Sequence, residues 1–259
     1  MYPYIHILGR NIGTYGLCML AGFLLAGFLA YRKGHRRGLL WEDLVIVGAT
    51  ALGGALLCGG ALYIFVTYSW EQILSFIRQG DFRFLSSGIV FYGGLIGGVL
   101  GALLGIRLAG CTVRSIERSV VPFIPLGHAV GRIGCVMAGC CHGFPYDGPF
   151  ALYYPHSVAG LPPTQGYFPV QPLESLVNIC LCLCLLSYEK HVKRATDLLF
   201  MYLGAYAISR FFLEMLRGDS VRGLWDGIST SQWISLGLLI VCLLRWFCLR
   251  LWQRKSACA

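Results

Sequence analysis

Leu44-Val-Ile-Val-Gly-Ala-Thr50-Ala-Leu-Gly-Gly-Ala-Leu-Leu-Cys58-Gly-Gly-Ala-Leu-Tyr-Ile-Phe-Val-Thr-Tyr-Ser-Trp70 carries no charged residue from end to end. About 20 mainly apolar residues suffice for a helix to cross a bilayer, so this stretch predicts a transmembrane helix. Working outward, residues 11–31 read the same way before it, and residues 84–106, 119–141, 171–188, 198–216 and 227–244 after it. The reading is an all-α polytopic membrane protein with seven transmembrane helices. Gly93-Gly94, Gly97-Gly98 and Gly101 repeat on nearby turns of the third stretch, a spacing that lets helix backbones approach closely.

Composition agrees. The 259 residues are 56% hydrophobic and 13% charged, with a mean hydropathy of +0.66. A soluble domain carries about 25% charged residues, so a soluble globule, a disordered chain and a collagen-like fibre are excluded. The net charge of +9 does not indicate a nucleic-acid binder, because the basic residues are spread over the loops.

Their distribution orients the helices. Arg32, Lys33, Arg36, Arg37, Arg107, Arg114, Arg118, Lys190, Lys193, Arg194, Arg245, Arg250, Arg254 and Lys255 follow odd-numbered spans. Arg10, Arg78, Arg83, Arg217 and Arg222 lie on the other side. Lys and Arg concentrate in cytoplasmic loops, so the N-terminus is expected outside and the C-terminus in the cytoplasm. The first residues lack a basic start and a small-residue cleavage site, so the first apolar segment is expected to be retained.

One domain over residues 1–259 is expected, with no internal repeat. Residues 69–88 suit an amphipathic piece on the membrane surface. Residues 142–170 contain no Lys or Arg but many Pro, Gly and aromatic residues. They read as an ordered extracytoplasmic arm or lid, with a candidate short strand at Phe150-Ala-Leu-Tyr-Tyr154.

Two arginines, Arg132 and Arg210, fall inside spans, where a charge costs roughly 2.5–3.5 kcal/mol to insert. Arg210 has Glu214 four residues on, one helical turn away. With only one acid on the two spans, a positive charge is left over. Guanidinium groups bind phosphate through two parallel hydrogen bonds, and the phosphate at hand is a phospholipid headgroup. A helix-bundle clamp is the structural alternative.

Around Arg132 the chain reads Gly127-His128-Ala-Val-Gly131-Arg132-Ile-Gly134-Cys135-Val-Met-Ala-Gly139-Cys140-Cys141-His142-Gly143. His128 shares a helical face with Arg132. Seven of the twelve cysteines lie in apolar runs and read as small hydrophobes. Cys135, Cys140 and Cys141 are open to other readings: soft metal ligands, a vicinal disulfide, or packed small residues. Adjacent cysteines do not easily supply two corners of a zinc tetrahedron, so no metal and no cofactor is assigned.

The Arg132 segment resembles the signature of the prolipoprotein diacylglyceryl transferase family, Gly-Arg-x-Gly-Asn-x(3)-Gly-Glu-x-x-Gly. The likeness extends along the chain. Thr14-Tyr15-Gly16-Leu17 resembles the family's Trp-Tyr-Gly-Leu, and Tyr92-Gly93-Gly94-Leu95-Ile-Gly97 its His-Gly-Gly-Leu-Ile-Gly. Pro169-Val-Gln171-Pro-Leu-Glu174 resembles its Pro-Ser-Gln-Leu-Tyr-Glu. Tyr206-x-x-x-Arg210-x-x-x-Glu214 resembles its Tyr-x-x-x-Arg-x-x-x-Glu. This chain departs by Tyr92 for the family's histidine, Cys135 for its asparagine and Cys140 for its glutamate. It resembles a divergent branch with a Gly-Cys-Cys-His-Gly motif.

The resemblance implies a reaction. The diacylglyceryl group of phosphatidylglycerol passes to the lipobox cysteine thiol of a prolipoprotein, forming a thioether as glycerol phosphate leaves. Implied partners are phosphatidylglycerol, the prolipoprotein signal peptide and membrane lipid, with no nucleic acid and a monomeric enzyme in the bacterial cytoplasmic (inner) membrane. Arg132 and Arg210 would hold the phosphate, with Glu214 orienting Arg210. Tyr15, Tyr206, Cys135 and Gly143 would line the substrate site. The nucleophile must be a thiolate. With the family histidine replaced, His142 and His128 are the candidate bases, and Tyr92 and Cys140 the altered polar groups at the reaction centre. Two alternatives use the same residues: a related phospholipid-using enzyme with thiol chemistry at Cys140 or Cys141, and a non-enzymatic lipid-binding or transport protein.

Overall fold

In the computed structural model, residues 2–7, 9–80, 91–192, 194–219, 224–225 and 227–257 are described. Strands β1 (Tyr4–Ile7) and β2 (Arg10–Gly13) form an antiparallel hairpin pairing Tyr4 with Gly13 and Ile7 with Arg10. Helix α1 (Thr14–His35) therefore begins three residues later than the apolar run at Asn11. Thr14 fixes that start: its backbone N–H and its hydroxyl both donate to the carbonyl of Pro3.

Helix α2 (Trp41–Thr67) has Asp43 accepting from the Leu40 backbone N–H at 2.8 Å. Helix α3 (Trp70–Gln79) is capped by Ser69, and its Gly80 end adopts the left-handed conformation. It realises the first part of the amphipathic piece expected over 69–88; residues 81–90 lie outside the described set. Helix α4 (Phe91–Leu108) holds the glycine run. A Cβ added at Gly97 would run into the carbonyl oxygen of Gly54, and one at Gly101 into that of Thr50. Helices α2 and α4 thus pack backbone against backbone.

Helix α5 (Val113–Val120) passes through a 3-10 turn at Pro122 into α6 (Ile124–Ala138). Helix α7 is Val170–Tyr188 and α8 is Asp197–Met215. Glu117 caps α8: its carboxylate oxygens accept from the backbone N–H groups of Thr196 (2.7 Å) and Leu199 (2.8 Å). Negative charge at a helix N-terminus is favourable. A second hairpin, β3 (Leu224–Trp225) with β4 (Ile228–Ser229), leads into α9 (Thr230–Ala257).

Among the described residues, six helices are long and apolar enough to cross a membrane: Thr14–His35, Trp41–Thr67, Val113–Ala138, Val170–His191, Asp197–Met215 and Thr230–Leu251. A shorter apolar helix, Gly93–Leu108, corresponds to the described part of the expected third span. The chain is a multi-pass membrane protein. Its apolar side chains face outward as readily as inward, with Leu57, Phe65 and Phe23 two-thirds or more exposed, which suits lipid and not water as the solvent.

The helices divide into two compact units, residues 31–116 and residues 1–30 with 117–259. In the second unit, Val121, Leu185, Val192, Leu198 and Tyr202 form one buried cluster. Ser175 on α7 donates to the Ala129 carbonyl of α6 at 2.9 Å, so a buried polar pair aligns these helices. The arm between α6 and α7 is held by backbone pairing. Leu152 and Tyr167 exchange two hydrogen bonds, and the Tyr146 N–H donates to the Gly166 carbonyl. The strand expected over Phe150–Tyr154 reduces to a single bridge at Leu152, because Phe150 takes a left-handed conformation (φ 65°).

Candidate functional site

Arg132 of α6, Glu174 of α7, Arg210 and Glu214 of α8, and Arg217 and Asp219 just beyond α8 form one chain of ion pairs. An Arg132 guanidinium nitrogen lies 2.9 Å from Glu174 Oε1. Arg210 lies 3.5 Å from the same carboxylate and 2.7 Å from Glu214. Arg217 lies 3.6 Å from Glu214 and grips Asp219 with two nitrogens, at 2.9 and 2.6 Å. Three arginines thus alternate with three acids. Glu174 and Glu214 are 2% and 1% exposed, so each carboxylate depends on its cations; an unpaired buried charge is strongly destabilising.

This corrects the charge count made from the sequence. The positive charge left over on two spans is met by Glu174, which comes from α7. Arg217, which closes the Tyr206–Glu214 ladder in the sequence and is counted there among the loop charges with no site role, belongs to the same chain. Their signals were present: Glu174 closes the Pro-x-Gln-x-x-Glu motif, and Arg217 follows Glu214 at i+3, on the same helical face.

Around this core stand the other expected residues. Tyr206 stacks on His128, with ring centroids 5.5 Å apart. Arg210 also donates to the Ser231 hydroxyl of α9 at 3.3 Å. Tyr15 backs onto Gly134, where an added Cβ would meet the Cys18 Cβ at 2.8 Å and the Tyr15 Cα at 3.2 Å. Tyr15 is within electrostatic reach of Arg132 and of Cys135, Cys140 and Cys141.

Helix α6 ends at Gly139, whose φ of 68° is the left-handed conformation that glycine adopts without cost. The chain then doubles back. The Gly139 and Cys140 N–H groups both donate to the Cys135 carbonyl, and Ser157 donates to the Gly139 carbonyl at 2.6 Å. Gln171 links turn to arm: its amide donates to the Cys140 carbonyl at 2.9 Å, and its oxygen accepts from Tyr154 at 3.0 Å. Tyr154 is fully buried, and burial pushes its hydroxyl up to about 12.

The turn gathers the three cysteines, whose sulfurs all lie within 4.8 Å of one another. Cys135 is buried, and Arg132 Nη1 lies 3.8 Å from its sulfur. The neighbouring Cys135 and Cys140 thiols, and then the Arg217 and Arg132 guanidinium groups, hold Cys141 below the usual thiol range.

His142 is buried with its Nδ1 2.9 Å from the Gly143 carbonyl oxygen and its ring against Tyr167. A carbonyl oxygen only accepts, so Nδ1 carries the proton and Nε2 is the basic nitrogen. Gly143 acts through its backbone: it pairs antiparallel with Arg217, and a Cβ there would strike the Phe168 carbonyl. Tyr92 falls in the first turn of α4, and its side chain lies outside the described residues. The structure thus brings Arg132, Arg210, Glu214 and Arg217 together with Glu174, and Cys135 with Cys140 and Cys141.

Similarity to known proteins spans nearly all of these elements. The sequence model of the prolipoprotein diacylglyceryl transferase family matches residues 3–248. The chain is similar to a protein of Clostridium perfringens named phosphatidylglycerol–prolipoprotein diacylglyceryl transferase 2, at 33% identity over 237 residues, 90% of each chain. It is also similar to proteins named phosphatidylglycerol–prolipoprotein diacylglyceryl transferase. That of Clostridium tetani is 30% identical (91% of this chain, 92% of the relative). That of Bacillus cytotoxicus is 31% identical (92% and 87%).

Proposed function

The chain belongs to the prolipoprotein diacylglyceryl transferase family, and from that premise we propose that it transfers the diacylglyceryl group of phosphatidylglycerol to the lipobox cysteine thiol of a prolipoprotein. The observation that carries the reading is the meeting of Arg132 and Arg210 at one buried carboxylate. Paired guanidinium groups in an apolar surround are suited to a lipid phosphate and to the charge that grows on departing glycerol phosphate. Arg210, fixed on both sides by Glu174 and Glu214, presents its fork in one orientation.

Tyr206 and Tyr15 border the headgroup in this reading, and His142 Nε2 is the candidate proton acceptor. An open apolar groove of about 450 Å³ between α7 and α8, lined by Leu173, Val177, Ser209, Phe212 and Leu213, suits an acyl chain. Leu173 and Ser209 adjoin Glu174 and Arg210 in sequence, which supports entry of the lipid from the side.

The loop charges support seven spans with the N-terminus outside and the C-terminus in the cytoplasm, Gly93–Leu108 being part of the third span. Residues 142–170 then form an extracytoplasmic arm over the site, in one monomeric enzyme of the bacterial inner membrane. The test is incubation of the full-length protein with phosphatidylglycerol vesicles and a lipobox peptide. Mass spectrometry should find diacylglyceryl on the peptide cysteine and none on a serine version. Lipid binding with an unmodified peptide would overturn the reading.

A further inference from the structure

The charge chain leaves three thiols unused, and their arrangement is that of a ligand set. We propose that Cys135, Cys140 and Cys141 hold one Zn²⁺ ion whose fourth corner takes the acceptor thiol. The acceptor's identity rests on the transferase reading above; the metal site does not.

The sulfurs already lie within 4.8 Å of one another. With Zn–S bonds of about 2.3 Å, the edge of a sulfur tetrahedron is about 3.8 Å, so each pair closes by about 1 Å or less. The obstacle to two adjacent cysteines sharing a metal is backbone direction. It is met here by left-handed conformations at Gly139 (φ 68°) and at Cys141 (φ 54°), unusual for a side-chain-bearing residue. The bonds from Cys140 to Cys135, from Ser157 to Gly139 and from Gln171 to Cys140 fix this turn before any metal arrives.

Among the described residues, no His, Asp or Glu joins the three sulfurs. Structural zinc is closed by four protein ligands, whereas reactive zinc keeps three and an open position. Charge favours a divalent ion. Arg132, Arg210 and Arg217 are matched by Glu174, Glu214 and Asp219. Zn²⁺ with three thiolates adds one negative charge, facing Arg132 at 3.8 Å from Cys135. Cu⁺ would add two, at a greater desolvation cost.

The site supplies what this chain's altered motif lacks. Tyr92 stands where the family motif has histidine, and a tyrosine with a pKa of about 10 is a poor base at neutral pH. A thiol bound to zinc is deprotonated outright. As its sulfur joins the metal, the acceptor S–H gives its proton to water by way of His142, the candidate proton acceptor of the transferase reading. That sulfur's electron pair then attacks the diacylglyceryl carbon bonded to the phosphate oxygen. The C–S bond forms as the C–O bond breaks, and its electron pair leaves with glycerol phosphate. Nothing is oxidised or reduced, and the neutral thioether is a weak ligand that departs.

The full-length protein in detergent is loaded with Zn²⁺ or Co²⁺. Elemental analysis should find about one zinc per chain, and the cobalt form should show thiolate-to-metal absorption. A lipobox peptide should shift the cobalt bands and its serine version should not. The triple variant C135S/C140S/C141S should lose the metal at least tenfold. Should that variant fail to fold, stripping the wild type with a chelator and restoring Zn²⁺ gives the same comparison. Zinc content no higher than in the variant, or full thioether formation by stripped wild type, overturns the proposal; the second result leaves the transferase reading standing. A cobalt spectrum shifted by the peptide, without thioether formation, upholds the metal site and sinks the transferase reading.

Discussion

Arg132 and Arg210 lie on different helices, α6 and α8, yet their guanidinium groups meet at the single carboxylate of Glu174 on α7, at 2.9 and 3.5 Å. One acid thus positions two cations that the sequence holds far apart. Arg132→Ala and Arg210→Ala should each lower thioether formation by about a hundredfold or more, the scale seen when one charge-stabilising donor is lost. Arg→Lys at either position should also fail substantially, because an ammonium lacks the planar fork. Membrane insertion should be unchanged. Near-normal product from either alanine variant would return both residues to a clamp role.

Glu174→Gln removes the shared anion and leaves both cations in the bundle. Breaking a buried pair costs about 3–5 kcal/mol, so the thermal midpoint in detergent should fall clearly. Glu174→Asp, which keeps the charge on a shorter stem, should recover part of that stability. Equal midpoints for wild type and the glutamine variant would show that the carboxylate carries no structural load.

Gly97→Leu places a branched side chain where the carbonyl of Gly54 already sits. The α2–α4 contact should open, with a lower yield of folded protein and a lower midpoint. Leu103→Ile on the same helix, at an exposed apolar position, should change neither. A stable Gly97→Leu protein would contradict backbone-to-backbone packing.

Gln171→Leu cuts two side-chain ties, to Tyr154 of the arm and to the Cys140 carbonyl of the turn before it, and leaves that of Ser157 to Gly139. Limited proteolysis within residues 142–170 should speed up several-fold. Tyr154→Phe, which removes only one hydroxyl, should have the smaller effect. Unchanged cleavage in the glutamine variant would count against this tie.

Tyr154 also sets an alkaline limit. Its hydroxyl is raised to about 12 by burial, against about 10 in an unfolded chain. The contribution of the neutral phenol is therefore whole below pH 10 and is lost as pH rises toward 12. The arm should loosen over that window, and Tyr154→Phe should remove this component. An identical alkaline profile in the variant would exclude it.

The helices were legible because lipid imposes a length and a composition that a sequence displays directly. Arg210 with Glu214 was legible for a similar reason: i, i+4 is a local relation. Glu174 as the partner of Arg132 was not, since no local rule joins residues on separate helices. The hairpin before Thr14 was hidden because Asn11–Gly13 carries no charge to break the apolar run. The gathering of Cys135, Cys140 and Cys141 depended on a left-handed turn at Cys141, where residue type gives no cue.

Among the described residues, the arm is joined to the end of α8 by main-chain hydrogen bonds. The Phe144 N–H donates to the Leu216 carbonyl and the Gly218 N–H to that of His142, while Phe168 donates to Phe144 on the far side. Such rungs are indifferent to most side chains and acutely sensitive to register. Substitutions at Phe144 or Leu216 can drift while the ladder survives. A single insertion or deletion in 142–146, 166–168 or 216–218 would slip the rungs that segment makes, and one at 216 would also carry Arg217 off Glu214. Evolution and engineering alike meet a constraint there on spacing and not on spelling.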